Sequence, residues 1–239
     1  MHLKSATFDP ERYPTTEHYP FNLPVLRPKT TLEFTDPVTL FVGENGSGKS
    51  TVLRALARRC GIHMWRHAPT RRARHNPYED RLGEFISIEW RAGSVPGSYF
   101  ASEVFNDFAM ILDEWATEDA GQLKYFGGES LLTQSHGESL MSFFEARYQV
   151  RGLHFLDEPE TALAPSTQLE LLKLLAEMSC RGHAQFIIAT HSPIILACPM
   201  STLLSFDGGS IHSVAYEDTE HYRVYRDFMA APASYVAEL

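Results

Sequence analysis

Val38-Thr39-Leu40-Phe41-Val42 runs directly into Gly43-Glu44-Asn45-Gly46-Ser47-Gly48-Lys49-Ser50, and then into Thr51-Val52-Leu53-Arg54-Ala55-Leu56-Ala57-Arg58-Arg59. The first five residues form a short β-branched and apolar run, which predicts a buried strand. The last nine put Val52, Leu53 and Leu56 on one side and Arg54, Arg58 and Arg59 on the other, which predicts an amphipathic helix. Between them stands G-x-x-x-x-G-K-[ST] in full. Glycines at this spacing let the loop wrap its backbone N–H groups around a phosphate, and the helix N-terminus adds its dipole. Lys49 then reaches the β- and γ-phosphates, and the Ser50 hydroxyl ligates Mg²⁺. Gly43, Glu44, Asn45, Gly46, Ser47, Gly48, Lys49, Ser50 and Thr51 are the candidate nucleotide-binding set. A glycine-rich turn that only caps a helix is the alternative, and the strand–loop–helix context weighs against it.

Further along, Leu153-His154-Phe155-Leu156-Asp157-Glu158-Pro159 predicts a second buried strand that delivers two acids at its carboxyl end. Parallel sheets place their ligand crevice there. Asp157 is the candidate second holder of Mg²⁺, and Glu158, one residue on, the candidate general base for an attacking water. Helix capping by the two acids is the alternative. It explains neither the apolar run before them nor the proline after.

The rest of the chain alternates strands and helices. Strands are predicted over 85–90, 152–156 and 184–189, helices over 101–118, 139–149 and 166–181. A tail hairpin, 203–206 with 211–215, crosses Asp207-Gly208-Gly209, and a last helix starts at His221. Residues 1–30, rich in proline and aromatics, read as an irregular lead-in with a short strand near Val25. Residues 60–81 read as a long exposed loop. Alternation of this kind predicts an α/β domain with a mainly parallel sheet. With 239 residues, 44% hydrophobic and 21% charged, one domain over 1–239 is expected.

The Asp157-Glu158-Pro159 ending, with Thr190-His191-Ser192 after the next strand, resembles the ABC-type ATPases. Ser135-His136-Gly137-Glu138-Ser139 lies where that group carries its signature loop, and Ala162-Leu163-Ala164-Pro165 where its D-loop lies. Over roughly residues 20–215 the pattern is similar to compact ABC-type AAA-family ATPases related to the head domains of SMC-like repair proteins. The resemblance implies a P-loop NTPase of ABC-ATPase type, with an antiparallel subsheet and a helical signature subdomain roughly over 98–150. It also implies ATP and Mg²⁺ as ligands, and an ATP-dependent homodimer. Within that dimer His191 contacts the γ-phosphate, while Ser135, Gly137 and Glu138 approach the nucleotide held by the other copy. A plain N-cap turn remains the alternative at Ser135. Two family features depart from the pattern. No glutamine falls between the P-loop and Gln122, so Glu103 is the candidate substitute, contacting Mg²⁺ or the lytic water, against a simple solvated helix residue. The adenine-stacking aromatic is unassigned among Tyr13, Tyr19 and Phe21.

Charge narrows the partners. The chain carries −9, yet residues 49–81 hold nine basic and two acidic side chains. The Arg54–Arg81 segment is therefore a candidate surface for DNA or an acidic partner protein; balancing an acidic body is the alternative. Cys60, Cys180 and Cys198 are too scattered for a disulfide framework or zinc site, which suggests a reducing, cytoplasmic setting. The apolar stretch 186–198 is interrupted by His191 and Pro193 and is too short to span a bilayer, so no membrane insertion is expected. Rival readings are the nucleotide-binding subunit of a membrane transporter, or an ATP-sensing module without useful turnover.

Overall fold

The computed structural model describes residues 1–65 and 76–236. In chain order the elements are β1 (Leu3–Phe8), β2 (Thr30–Glu33), β3 (Val38–Val42), α1 (Lys49–Arg59), β4 (Ile86–Trp90), β5 (Gly97–Ala101), α2 (Ser102–Glu118), α3 (His136–Tyr148) and β6 (Gly152–Asp157). They are followed by α4 (Pro165–Cys180), β7 (Ala184–Ala189), α5 (Pro193–Leu196), β8 (Ser201–Ser205), β9 (His212–Ser213), α6 (Glu220–Ala230) and α7 (Pro232–Val236). Six strands form one sheet in the order β5-β6-β7-β3-β8-β9, parallel except for the β8–β9 pair. Three more, β2-β1-β4, form an antiparallel sheet. The mainly parallel sheet with an antiparallel subsheet is thus present.

Period-two alternation sorts the core. Val38, Leu40 and Val42 of β3 face a cluster with Leu156, Ile188 and the buried residues of α2, α3 and α4. Phe41, on the other face, joins Phe155, Ile187, α1 and the antiparallel sheet. β6 and β7 are buried along their whole length, which is why they read as unbroken apolar runs. Gln185 of β7, fully buried, joins the two sheets. Its Oε1 accepts the N–H groups of His2 (2.6 Å) and Leu3 (2.8 Å), and its Nε2 donates to Leu3 O (3.1 Å).

Three expectations need correction. Val25 lies in a 3-10 turn, Pro24–Leu26, because Pro24 presets the first turn and the Leu26 N–H bonds back to Leu23 O. The lead-in is not irregular throughout, since β1 is the central strand of the antiparallel sheet. β5 stands between β4 and α2, where only a loop running into a helix was expected. Of the expected exposed loop over 60–81, Ile62 is buried, and Trp65 packs on Phe108 and Trp115 of α2, with centroids 5.2 and 5.5 Å apart. Arg66, His67, Arg71, Arg72, Arg74 and His75 lie outside the described residues.

Candidate nucleotide site

β3, β6 and β7 lie side by side, with Phe41 and Asp157 both in register with Ala189. Their carboxyl ends therefore deliver the P-loop, the acid pair and the His191 segment to one edge. Lys49 opens α1 and is 3% exposed. Its Nζ donates to Gly43 O at 2.7 Å and Glu44 O at 2.9 Å. Burial lowers its pKa, opposed by the nearby Glu158, Asp207, Asp157 and Glu160 carboxylates. A buried ammonium with acids around it and a phosphate loop folded over it is built to meet polyphosphate.

Asp157 ends β6, buried, and accepts the Tyr99 hydroxyl at 2.8 Å. Burial raises its carboxyl, against the nearby Ser50 and Tyr99 hydroxyls and the charge of Arg54; Glu103 pushes the same way as burial. Its Oδ1 is enclosed without a hydrogen-bond partner among the described residues. An orphaned carboxylate oxygen beside the Ser50 hydroxyl suits an oxygen-seeking divalent cation. Glu103, exposed in the first turn of α2, stands two residues beyond the strand paired with β6.

Glu158 adopts φ +48°, in the left-handed region, which costs a non-glycine residue about 1–2 kcal/mol. Its N–H donates to Ala189 O (2.9 Å), and its carbonyl accepts the Ser102 hydroxyl (2.9 Å). The carboxylate lies 3.7 Å from His191 Nε2. His191 is held at both ends: its N–H donates to Glu160 Oε1 (2.5 Å), and its Nδ1 is 2.8 Å from His221 Nε2. Burial, with Lys49 and His221 nearby, lowers its pKa to about 4. Burial also raises the Glu160 carboxyl.

Ser135 is the N-cap of α3, and its N–H and hydroxyl both donate to Glu138 Oε2, at 3.1 and 2.6 Å. Among the described residues no hydrogen bond ties Ser135, Gly137 or Glu138 to the P-loop or the acid pair. A Cβ on Gly137 would meet nothing within 4 Å. Of the aromatic candidates, Phe21 is 1% exposed in the core, and the half-buried Tyr13 packs against it with ring centroids 4.9 Å apart. Tyr19 is exposed, with its hydroxyl 2.8 Å from Thr51 Oγ1. In the basic segment Arg58 pairs with Asp80 and Arg81 with Glu84.

Tyr99, Ser102, Glu160, Asp207 and His221 were missed by sequence reasoning. Asp207 Oδ1 accepts the Glu44 N–H at 2.9 Å. Only strand order brings these residues to the site, although Asp207 sits in the Asp-Gly-Gly turn and Glu160 two residues past the acid pair.

A phosphate loop after the central strand, an acid pair on the strand two places away and a histidine on the strand between them define an ABC-type P-loop ATPase fold. A family model described as "AAA domain" matches residues 22–61. A second, "AAA domain, putative AbiEii toxin, Type IV TA system", matches residues 130–197. The SMC head domain from Thermotoga maritima is 18% identical with a TM-score of 0.51, covering 90% of this chain and 98% of that one. CbiO1 from Clostridium perfringens, part of the ABC transporter complex cbiONQ, is 17% identical with a TM-score of 0.53, covering 100% and 98%. The iron(3+)-hydroxamate import ATP-binding protein FhuC of Bacillus subtilis is 25% identical over 170 residues, 64% of this chain and 62% of its own length. The chain therefore spans less than two thirds of that relative. Together the matches show a chain similar to AAA-domain ATPases, with the fold shared by SMC head domains and ABC transporter ATPases. No helix among the described residues is long and apolar enough to cross a membrane.

Proposed function

We propose that the chain binds Mg-ATP on Gly43–Thr51 and hydrolyses it, and that two copies close over the nucleotide in an ATP-gated dimer. The motion would pass to DNA or to a partner protein, with the Arg54–Arg81 segment as the surface supported by charge. The observation that carries the reading is the convergence of Lys49, Asp157, Glu158 and His191 on one sheet edge. Lys49 exchanges its two carbonyl partners for phosphate oxygens. Ser50, Asp157 and Glu103 would hold Mg²⁺, which supplies charge neutralisation on the phosphates. Glu158 takes the proton of the attacking water, and His191 faces the γ-phosphate. Tyr19, beside Thr51, is the remaining aromatic candidate for the adenine. Ser135, Gly137 and Glu138, open at the start of α3, would reach the nucleotide of the other copy.

Sedimentation of Glu158→Gln with and without Mg-ATP, beside phosphate release by the parent, tests this. A dimer only with Mg-ATP and an active parent is the expected result. A monomer in both states from an inactive parent overturns it, and an inactive parent that still dimerises leaves an ATP-sensing module. Similarity to FhuC favours a second reading, the nucleotide-binding subunit of a transporter. Recovery of a membrane-spanning subunit with the chain from solubilised membranes would favour that reading over the homodimer.

A further inference from the structure

His221 stands outside every motif of the P-loop, the acid pair and the signature segment, yet its Nε2 lies 2.8 Å from His191 Nδ1, with ring centroids 5.0 Å apart. Its placement is built. Thr219, 4% exposed, caps α6: its hydroxyl donates to Tyr216 O (2.7 Å) and accepts the Tyr222 N–H (3.2 Å). The Tyr216 hydroxyl donates to Pro193 O (2.9 Å), two residues past His191. The start of α6 is thus pinned to the His191 segment at two points, and the imidazole is one of them.

We propose that His221 is the positioning residue for His191, fixing both its ring orientation and its tautomer. The proposal rests on the reading of His191 as the residue facing the γ-phosphate. One proton lies between the two rings, and two arrangements are open to it. If His191 Nδ1 carries it, His191 Nε2 is a bare lone pair 3.7 Å from the Glu158 carboxylate, a repulsive contact. If His221 Nε2 carries it and donates, His191 Nε2 bears the other proton and points an N–H at Glu158 and at the phosphate edge. The second arrangement satisfies both contacts. His191 Nε2 is otherwise buried and unpartnered among the described residues, so its proton is free for an incoming anion.

Burial and the surrounding charges favour neutral rings. Burial lowers both pKa values most, Lys49 on α1 lowers them further, and Asp207 beyond β8 opposes, with Glu220 of α6 opposing at His221. Glu158 and Glu160 face His191 from the turn after β6. A neutral imidazole donates only through the nitrogen its tautomer protonates, so catalysis through His191 depends on its partner. An N–H aimed at the position where charge develops during phosphoryl transfer stabilises that charge without reorganising. Without His221 only the more distant Glu158 biases the tautomer, and the ring loses the contact that fixes its orientation.

The test uses the full chain labelled with ¹⁵N-histidine, free of nucleotide, with His191 assigned by comparison with His191→Ala. The parent is expected to show His191 protonated on Nε2 and bare on Nδ1. In His221→Ala the two nitrogens should move toward a tautomeric average. Turnover of Mg-ATP should fall roughly ten- to a hundredfold, with KM changed by less than about twofold. His221→Gln, whose amide N–H reaches the position of Nε2, should restore the tautomer and most of kcat. An unchanged His191 spectrum or unchanged kcat in His221→Ala overturns the proposal, as does a Gln variant no better than Ala. If the parent hydrolyses no ATP, the functional reading falls while the nitrogen spectra still decide the role of His221.

Discussion

The carboxylate of Asp207, just past β8, accepts the backbone N–H of Glu44, the second residue of the P-loop, at 2.9 Å. The same carboxylate explains Gly43, whose φ is +146° and where a Cβ would lie 2.8 Å from Asp207 Oδ1. The strand beside the P-loop strand therefore sets the angle at which the loop leaves the sheet. Two effects compete when Asp207 changes. Loss of the charge-assisted bond, worth about 1.5–3 kcal/mol, lets the loop relax. Loss of the negative charge relieves repulsion with bound phosphate. The substitutions separate them. Asp207→Asn keeps an acceptor for Glu44 without the charge and should bind Mg-ATP as tightly as the parent or more tightly. Asp207→Ala should weaken binding by about tenfold or more. Calorimetric titration of both variants checks this.

What was legible was local. Gly43–Ser50 and Asp157–Glu158 each carry their chemistry within a few consecutive residues, and their strands are uninterrupted apolar runs. β1 was lost because its short alternation is followed by a proline-rich stretch that dominates the reading of residues 1–30. β5 was lost because Gly97-Ser98-Tyr99-Phe100-Ala101 runs into α2 without a break, and its strand character comes from pairing in parallel with β6. Asp207, Glu160 and His221 act through partners up to 163 residues away, as Asp207 does with Glu44. Sequence spacing carries no signal for such pairs.

Gly137 tests whether the start of α3 serves another copy. Nothing in the chain lies within 4 Å of a Cβ there, so packing within one copy does not require glycine. Gly137→Arg lies in the first turn of α3, two residues past the Ser135 N-cap, where the gain from replacing glycine is offset by a cation at the positive end of the helix dipole. The expected outcome is a protein about as stable as the parent, with unchanged affinity for Mg-ATP. In the Glu158→Gln background, sedimentation should show that it no longer dimerises. A retained dimer would mean that α3 does not face the second copy.

His154 gives the stability a pH dependence. It is 1% exposed in β6, with Nδ1 2.9 Å from Ser98 Oγ, and burial lowers its pKa to about 3. Its ordinary value is 6.5. Below that the unfolded chain takes a proton that the folded chain refuses, so stability falls as pH drops from 6.5 toward the folded value. The slope approaches 1.36 kcal/mol per pH unit, or about 2 kcal/mol between pH 6.5 and 5. His191, lowered to about 4, adds in the same direction with less weight because it is partly exposed. Asp157 and Glu160, both raised by burial, act oppositely: the folded chain binds their protons first, so they lessen the loss at the acid end. Urea titrations at pH 7, 6 and 5 should show this decline, and His154→Leu should flatten it.

Gln185 is the joint between the two sheets, and its removal should unseat β1. One fully buried side chain serves three backbone groups at the start of that strand: two N–H donors and one carbonyl. Gln185→Met keeps the volume and removes all three bonds. Each orphaned buried group costs about 1–3 kcal/mol, lessened where the chain end shifts to reach water, so a loss of ~3 kcal/mol is expected. Gln185→Glu keeps the Oε1 acceptor for the His2 and Leu3 N–H groups but carries a charge into a buried position and faces Leu3 O with no donor. It should be at least as destabilised at pH 7 and recover in part at low pH, once its carboxyl is protonated and donates again. Urea midpoints at unchanged m-value measure both effects. Because Gln185 lies at the opposite end of β7 from His191, affinity for Mg-ATP should stay within about twofold wherever the protein remains folded. A large loss of affinity would instead show that the antiparallel sheet governs the shape of the nucleotide edge.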